Sequence, residues 1–197
     1  MKKSFFYPIL FMSLLTAIFT FILAFMEFGT AEKVEQNLAL ELQKKILYVF
    51  DIPYDNSASI ESINKLFSDK ITRDGDLFTY TEGGQIMGYA FPASGPGLWG
   101  GIEMYVGISE DYNTLLGLAI TDQNETPGLG GRIGDEEFLG QFRNLDVSGS
   151  TQGNYIIYRP APGGNTDAVT GATLTSKSVS KLLNEDIQTF LAERKGD

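Results

Sequence analysis

Hydrophobic and polar positions along the chain change their rhythm several times, and each rhythm predicts an element. Between Ser4 and Met26 no residue is charged, and at about 1.5 Å per residue a helix of that length crosses the roughly 30 Å core of a bilayer. A cleavable secretory signal is the alternative, with Gly29-Thr30-Ala31 as a small-residue cleavage site. Its apolar region is usually only about 7–15 residues long, so the segment is read as one transmembrane helix. From Glu32 to Phe50 the apolar residues Val34, Leu38, Leu42, Ile46 and Val49 repeat every three or four positions. That spacing predicts a helical stalk packed on its own domain, ended by Asp51-Ile52-Pro53. Ser57 or Ser59 then caps a short helix running through Leu66.

Beyond this point the period shortens to that of strands. Leu77–Thr81 and Ile86–Phe91 flank Glu82-Gly83-Gly84-Gln85, and Ile102–Ile108 and Thr114–Thr121 flank Glu110-Asp111-Tyr112-Asn113, which predicts two hairpins. Pro92–Gly101, rich in proline and glycine, reads as loop. Asp135–Phe142 reads as a brief helix and Tyr155–Tyr158 as a further strand. Val179, Leu182, Leu183, Ile187, Phe190 and Leu191 mark the apolar face of a terminal helix. The expected fold is α+β: an N-terminal transmembrane anchor over residues 1–30, then one domain over 31–197 with helices packed on one face of an antiparallel sheet.

Charge adds a direction. The net charge is −10; Lys2 and Lys3 precede the apolar segment and every acidic residue follows it. By the positive-inside rule the amino terminus is cytoplasmic and the domain extracytoplasmic. An acidic domain argues against nucleic acid as a partner. Cysteine and histidine are both absent, which excludes disulfides, thiolate-held clusters and the commonest metal ligands and general base. Redox chemistry here requires an organic cofactor or a partner, and no metal site or catalytic residue is expected.

Chemistry is concentrated in three glycine- or threonine-rich segments. Gly95–Gly101 holds the single tryptophan; Leu98 and Trp99 either face a planar ligand or plug the core. Glu125–Gly131 either nests an anion or is a tight connection. Asp167-Ala168-Val169-Thr170-Gly171-Ala172-Thr173-Leu174-Thr175-Ser176 leads into the terminal helix. Its small residues leave the Thr173 hydroxyl approachable, and a helix start favours phosphate. Taken alone, this last segment reads as ordinary helix capping.

In this order the three segments resemble two related flavin carriers, the C-type subunit of the sodium-pumping NADH:quinone reductase and the G-type subunit of the Rnf complex. The resemblance covers the membrane helix, Glu-Thr-Pro-Gly-Leu-Gly and Asp-x-x-Thr-Gly-Ala-Thr. It implies that FMN is joined through its phosphate to Thr173, by a Mg²⁺-dependent transferase that uses FAD. It also implies that Asp167, Thr170, Gly171 and Ala172 form the transferase's recognition motif. The flavin ring is implied to rest among Glu125, Thr126 and Leu129, with Leu174 and Thr175 nearby. Related chains often carry histidine where this one has Gln123. Gly97-Leu98-Trp99-Gly100 resembles the carrier of the sodium-pumping reductase, whereas the short chain resembles that of the Rnf complex, which is the preferred assignment. The implied role is electron transfer among membrane subunits of an ion-translocating oxidoreductase, with no activity in isolation. The rival expectations are a stand-alone extracytoplasmic flavoprotein, a flavin-free tethered assembly module and, last, a carboxylate-pair hydrolase.

Overall fold

A computed structural model describes residues 6–55, 57–150 and 153–195; Lys2 and Lys3 lie outside the described residues. The chain divides into two compact units, Met1–Glu41 and Leu42–Asp197. From Phe6 onward the first is helical, part of α1 (Phe6–Val49). It is long and apolar enough to cross a membrane, and its side chains are almost all exposed. Two of its hydroxyls are satisfied within the helix, Thr16 donating to the Met12 carbonyl and Thr30 to that of Met26, each at 2.8 Å. Val34 and Leu38, expected to pack against the domain, are exposed.

The second unit is built on an antiparallel meander, β1 (Ile71–Asp74), β2 (Leu77–Glu82), β3 (Gln85–Pro96), β4 (Gly101–Ser109), β5 (Thr114–Gln123) and β6 (Leu145–Asp146), in sheet order β1-β2-β3-β4-β5-β6. The helices cover both faces of the sheet, where the sequence pattern pointed to one. After the short α3 (Glu136–Leu139), α4 (Thr173–Lys195) lies on one face. All six of its predicted apolar positions are buried, against a core that includes Phe91, Met104, Val106 and Leu118. Phe190 stacks on Phe91 with ring centroids 4.1 Å apart.

On the other face lie the end of α1 and α2 (Ile60–Lys70). Val49 rests where β4 and β5 carry Gly107 and Gly117, which are paired in register. A Cβ on Gly117 would stand 2.8 Å from the Val49 carbonyl oxygen, so glycine there is what lets the helix approach. Arg143 locks the same end: it stacks on the Tyr48 ring at 4.3 Å, donates to the Tyr48 carbonyl at 3.0 Å and pairs with Asp51 at 3.2 Å. Ser59 caps α2, accepting from the Ser62 amide at 3.2 Å.

Two further expectations are corrected. Pro92–Gly101 is mostly strand: β3 runs to Pro96 in unbroken register with β4, from Gly88↔Ser109 to Pro96↔Gly101. Prolines fit because β2 pairs no further along β3 than Ala90, leaving that edge open. The Ser94 amide turns to this open edge and donates to Asp186 of α4 at 3.1 Å. Pro92 and Pro96 share its parity, so the N–H each lacks is one the ladder does not use. Tyr155–Tyr158 forms no strand. Its backbone is satisfied by side chains instead, Asn184 accepting from Tyr155 and Ile156 at 2.8 Å each, and Asn165 from Ile157 at 3.0 Å. One isolated bridge joins Tyr158 to Thr166.

Candidate functional site

The meander brings three connections to one end of the sheet. The β3–β4 hairpin closes through Gly97–Gly100, with the Gly97 amide donating to the Gly100 carbonyl at 2.7 Å. The exit of β5 turns at Glu125 into a 3₁₀ turn over Gly130–Gly134. The third connection is the turn into α4.

Glu125 ties them together. It is 5% exposed. One carboxylate oxygen accepts from the Leu98 and Trp99 amides at 2.7 and 3.0 Å, and the other from the Thr175 hydroxyl at 2.6 Å. Burial pushes its pKa up, but the three donors outweigh burial and hold it below the usual 4.5. The group is therefore a buried anion at neutral pH. Glycine makes room for it: a Cβ on Gly97 would lie 2.5 Å from one oxygen, and a Cβ on Gly130 2.7 Å from the other. Gln123 accepts from the Glu125 amide at 2.7 Å through its side-chain oxygen.

Around this knot lies a cleft of about 240 Å³ lined by Leu98, Trp99, Glu125, Thr126, Leu129, Gly130, Gly171, Ala172, Thr173, Leu174 and Thr175. All three segments singled out in the sequence meet there. Leu98, Trp99, Leu129 and Leu174 are 47–71% exposed, so Trp99 is no core plug. Four large apolar side chains exposed at one cleft form a patch of the kind that marks an interaction site.

The capping expectation for the threonine segment is also revised. Ala172 precedes the helix, and its carbonyl accepts from the Ser176 amide at 3.0 Å. Ser176, not a threonine, satisfies the turn, its hydroxyl accepting from the Val169 amide at 3.0 Å. Gly171 takes φ +82°, a conformation that favours glycine. Thr175 and Ser176 are buried and committed, while Thr173, the first residue of α4, is exposed. Its hydroxyl takes no part in fixing the turn and stands beside first-turn amides that have no intrahelical partner.

Thr170 and Asp167 fall outside this cleft and line a neighbouring one of about 480 Å³. That larger cleft suits a phosphate poorly, because both its arginines are occupied, Arg132 by Asp135 and Glu137 and Arg159 by Asp167. Among the described residues no group of three or more acidic side chains could hold a metal. Sequence reasoning missed Gly130, as well as Gln141 and Arg159, which hold Asp167. The glycine was visible inside its motif; the other two carry no signal in their spacing.

An exposed hydroxyl at a helix N-terminus, set beside a shallow apolar cleft, suits a planar group that bears a phosphate. The cleft is smaller than the roughly 300–1,000 Å³ of pockets that hold ligands by enclosure. Residues 97–188 match the family model of the FMN-binding domain. Among curated proteins it is 31% identical over 119 residues to the G-type subunit of the proton-translocating ferredoxin:NAD(+) oxidoreductase complex of Clostridium ljungdahlii, covering 60% of this chain and 62% of that one. It is 33% identical over 167 residues to the C-type subunit of the Na(+)-translocating NADH-quinone reductase of Neisseria meningitidis, covering 76% and 64%. The chain thus spans less than two thirds of either relative. The same fold occurs in the crystal structure of the C-type subunit of the Na(+)-translocating NADH-quinone reductase from Parabacteroides distasonis, with a TM-score of 0.67 at 23% identity over 80% of this chain and 92% of that one.

Proposed function

We propose that this protein is a membrane-anchored electron-transfer subunit that carries FMN, esterified through its phosphate to Thr173, in an ion-translocating oxidoreductase complex of Rnf type. One observation carries the reading: the exposed Thr173 hydroxyl sits on the rim of the cleft that Leu98, Trp99, Leu129 and Leu174 line. Residues 1–30 serve as anchor with a cytoplasmic amino terminus, and residues 31–197 as the extracytoplasmic domain. The long apolar helix and the kinship with subunits of ion-translocating complexes support membrane anchoring.

The bound flavin supplies reversible electron transfer. The residues supply the rest. The apolar side chains offer the ring a surface and exclude water from it. The start of α4 favours the linking phosphate, with Lys177 one turn further along the helix. The buried Glu125 anion fixes the loops and disfavours added negative charge nearby, which lowers the flavin's potential. Among the described residues no side chain hydrogen-bonds to the Thr173 hydroxyl to activate it, and an external transferase supplies that activation. In that step the Thr173 oxygen bonds to the FMN phosphorus of FAD, the pyrophosphate P–O bond breaks, AMP leaves and the hydroxyl proton passes to a base of the transferase or to water.

The test is purification from native membranes under mild detergent. Bound flavin, polytopic subunits that copurify, and loss of the flavin alone in Thr173→Ala are the expected results. A colourless protein, or a full flavin complement in Thr173→Ala, contradicts the reading. A flavoprotein that purifies without other subunits would be a stand-alone carrier. The alternative place, as the corresponding carrier of a sodium-pumping NADH:quinone reductase, is favoured by Gly97-Leu98-Trp99-Gly100 and by the longer alignment, 76% of the chain against 60%. The identity of the copurifying subunits decides between them.

A further inference from the structure

Next to the Thr173 turn, two side chains from distant segments converge on Asp167. The Arg159 guanidinium donates to both carboxylate oxygens, at 2.8 and 2.6 Å. The Gln141 side chain takes the backbone, accepting from the Asp167 amide at 2.7 Å and donating to its carbonyl at 3.4 Å. Asp167 is thus gripped by both its carboxylate and its peptide groups.

Two residues later the Val169 amide donates to Ser176 of α4, and the Val169 carbonyl accepts from Ala172 at 3.0 Å. The stretch from Asp167 to Thr173 is consequently held at one end by Arg159 and Gln141 and at the other by the helix. Gly171, the most permissive residue of the stretch, lies two positions before the hydroxyl. The hold at Asp167 limits how this permissive turn enters α4, whose first residue carries the Thr173 hydroxyl.

We propose that Asp167 is a positioning residue: with Arg159 and Gln141 it forms a clamp that presents the Thr173 hydroxyl for flavin transfer. The inference rests on attachment at Thr173. Each Asp167 oxygen accepts one hydrogen bond of a bidentate pair, the geometry that gives arginine its specificity; the side chain stays 60% exposed, so positioning and direct contact are separated by the response to Arg159 substitution. The bond chemistry is unchanged, Thr173 oxygen displacing AMP from FAD. The clamp acts only on how often that oxygen is in place, and displacement of a reacting group by about 1 Å can cost about 100-fold in rate.

The experiment follows flavin attachment over time in the full chain supplied with flavin transferase, FAD and Mg²⁺. The fraction of Thr173 peptide carrying FMN is read by mass spectrometry, and amide exchange over residues 168–173 is read in parallel. Arg159→Ala should slow attachment about 10- to 100-fold, matching Asp167→Asn. The double variant should be no slower than either single one. Arg159→Lys should recover part of the rate, and Gln141→Ala, which keeps the ion pair, should fall between. Each slowed variant should also show faster exchange in the turn with an unchanged far-UV spectrum. Attachment to Arg159→Ala at the wild-type rate, with Asp167→Asn still defective, would overturn the proposal and make the carboxylate a direct transferase contact. If wild type itself takes up no flavin, the attachment reading fails, and exchange alone judges the clamp. Faster exchange in Arg159→Ala would then uphold it, and unchanged exchange would end it.

Discussion

Replacing Glu125 by alanine removes the acceptor of three hydrogen bonds at once. A hydrogen bond to a charged group contributes about 1.5–3 kcal/mol, and a buried donor left without a partner costs about 1–3 kcal/mol. The Thr175 hydroxyl, on a residue 1% exposed, carries the full cost. The amides of the exposed Leu98 and Trp99 recover part of theirs from water. The expected loss is therefore about 3–5 kcal/mol, or roughly 6–20 °C in Tm at about 2–4 °C per kcal/mol for a domain of this size. Glu125→Gln keeps one carbonyl oxygen for the two amides and can donate to Thr175, so its loss should be about 1–2 kcal/mol. Thermal unfolding in detergent, followed by circular dichroism and by fluorescence of Trp99, the single tryptophan, reads both variants. Amide exchange at Leu98 and Trp99 locates the damage. A Glu125→Ala protein that melts within about 1 °C of wild type and keeps slow exchange at those amides would refute the role of Glu125 as the knot of the site.

Two other expectations concern the same unit. Gly117→Ala drives a methyl group towards the Val49 carbonyl, 2.8 Å away; because backbone must move, about 1–3 kcal/mol should be lost in denaturant unfolding, whereas Gly75→Ala meets no steric contact and tests only the cost of a positive φ. The lowered pKa of Glu125 makes stability depend on pH with a definite sign. Its contribution is complete above the unfolded value near 4.5 and is lost as pH falls through the lower folded value, because the unfolded chain binds the proton first. The stability difference between wild type and Glu125→Gln should thus shrink on acidification below about 4.5, as urea titrations at stepped pH would show.

Much of this architecture is legible in periodicity. The face of α4 follows from its three- and four-residue spacing, and both hairpins from strand-like runs around polar turns, because these signals are local. Pro92 and Pro96 misled for a nonlocal reason: whether a proline breaks a strand depends on which edge its missing N–H faces, and only the early end of β2 leaves that edge open. Tyr155–Tyr158 looks like a strand in sequence, yet Asn165 and Asn184 take the places of a neighbouring strand. The pattern also could not reveal that helices cover both faces, since the glycines that admit Val49 belong to strands distant from it in the chain. The three segments of the site were recognisable by composition, but their meeting point depends on a buried carboxylate that spacing does not mark. Arg159 and Gln141 belong to the same class, ordinary polar residues given a role only by the fold.

Peptide mass spectrometry on protein from its native membrane tests the covalent link at Thr173. A mass gain of one FMN less one water is expected on the peptide containing Thr173, absent from Thr173→Ala, whose melting temperature should match wild type because that hydroxyl supports no part of the fold. An unmodified Thr173 in a host that makes the transferase would contradict it, and the exposed threonine would then be no more than the first residue of α4.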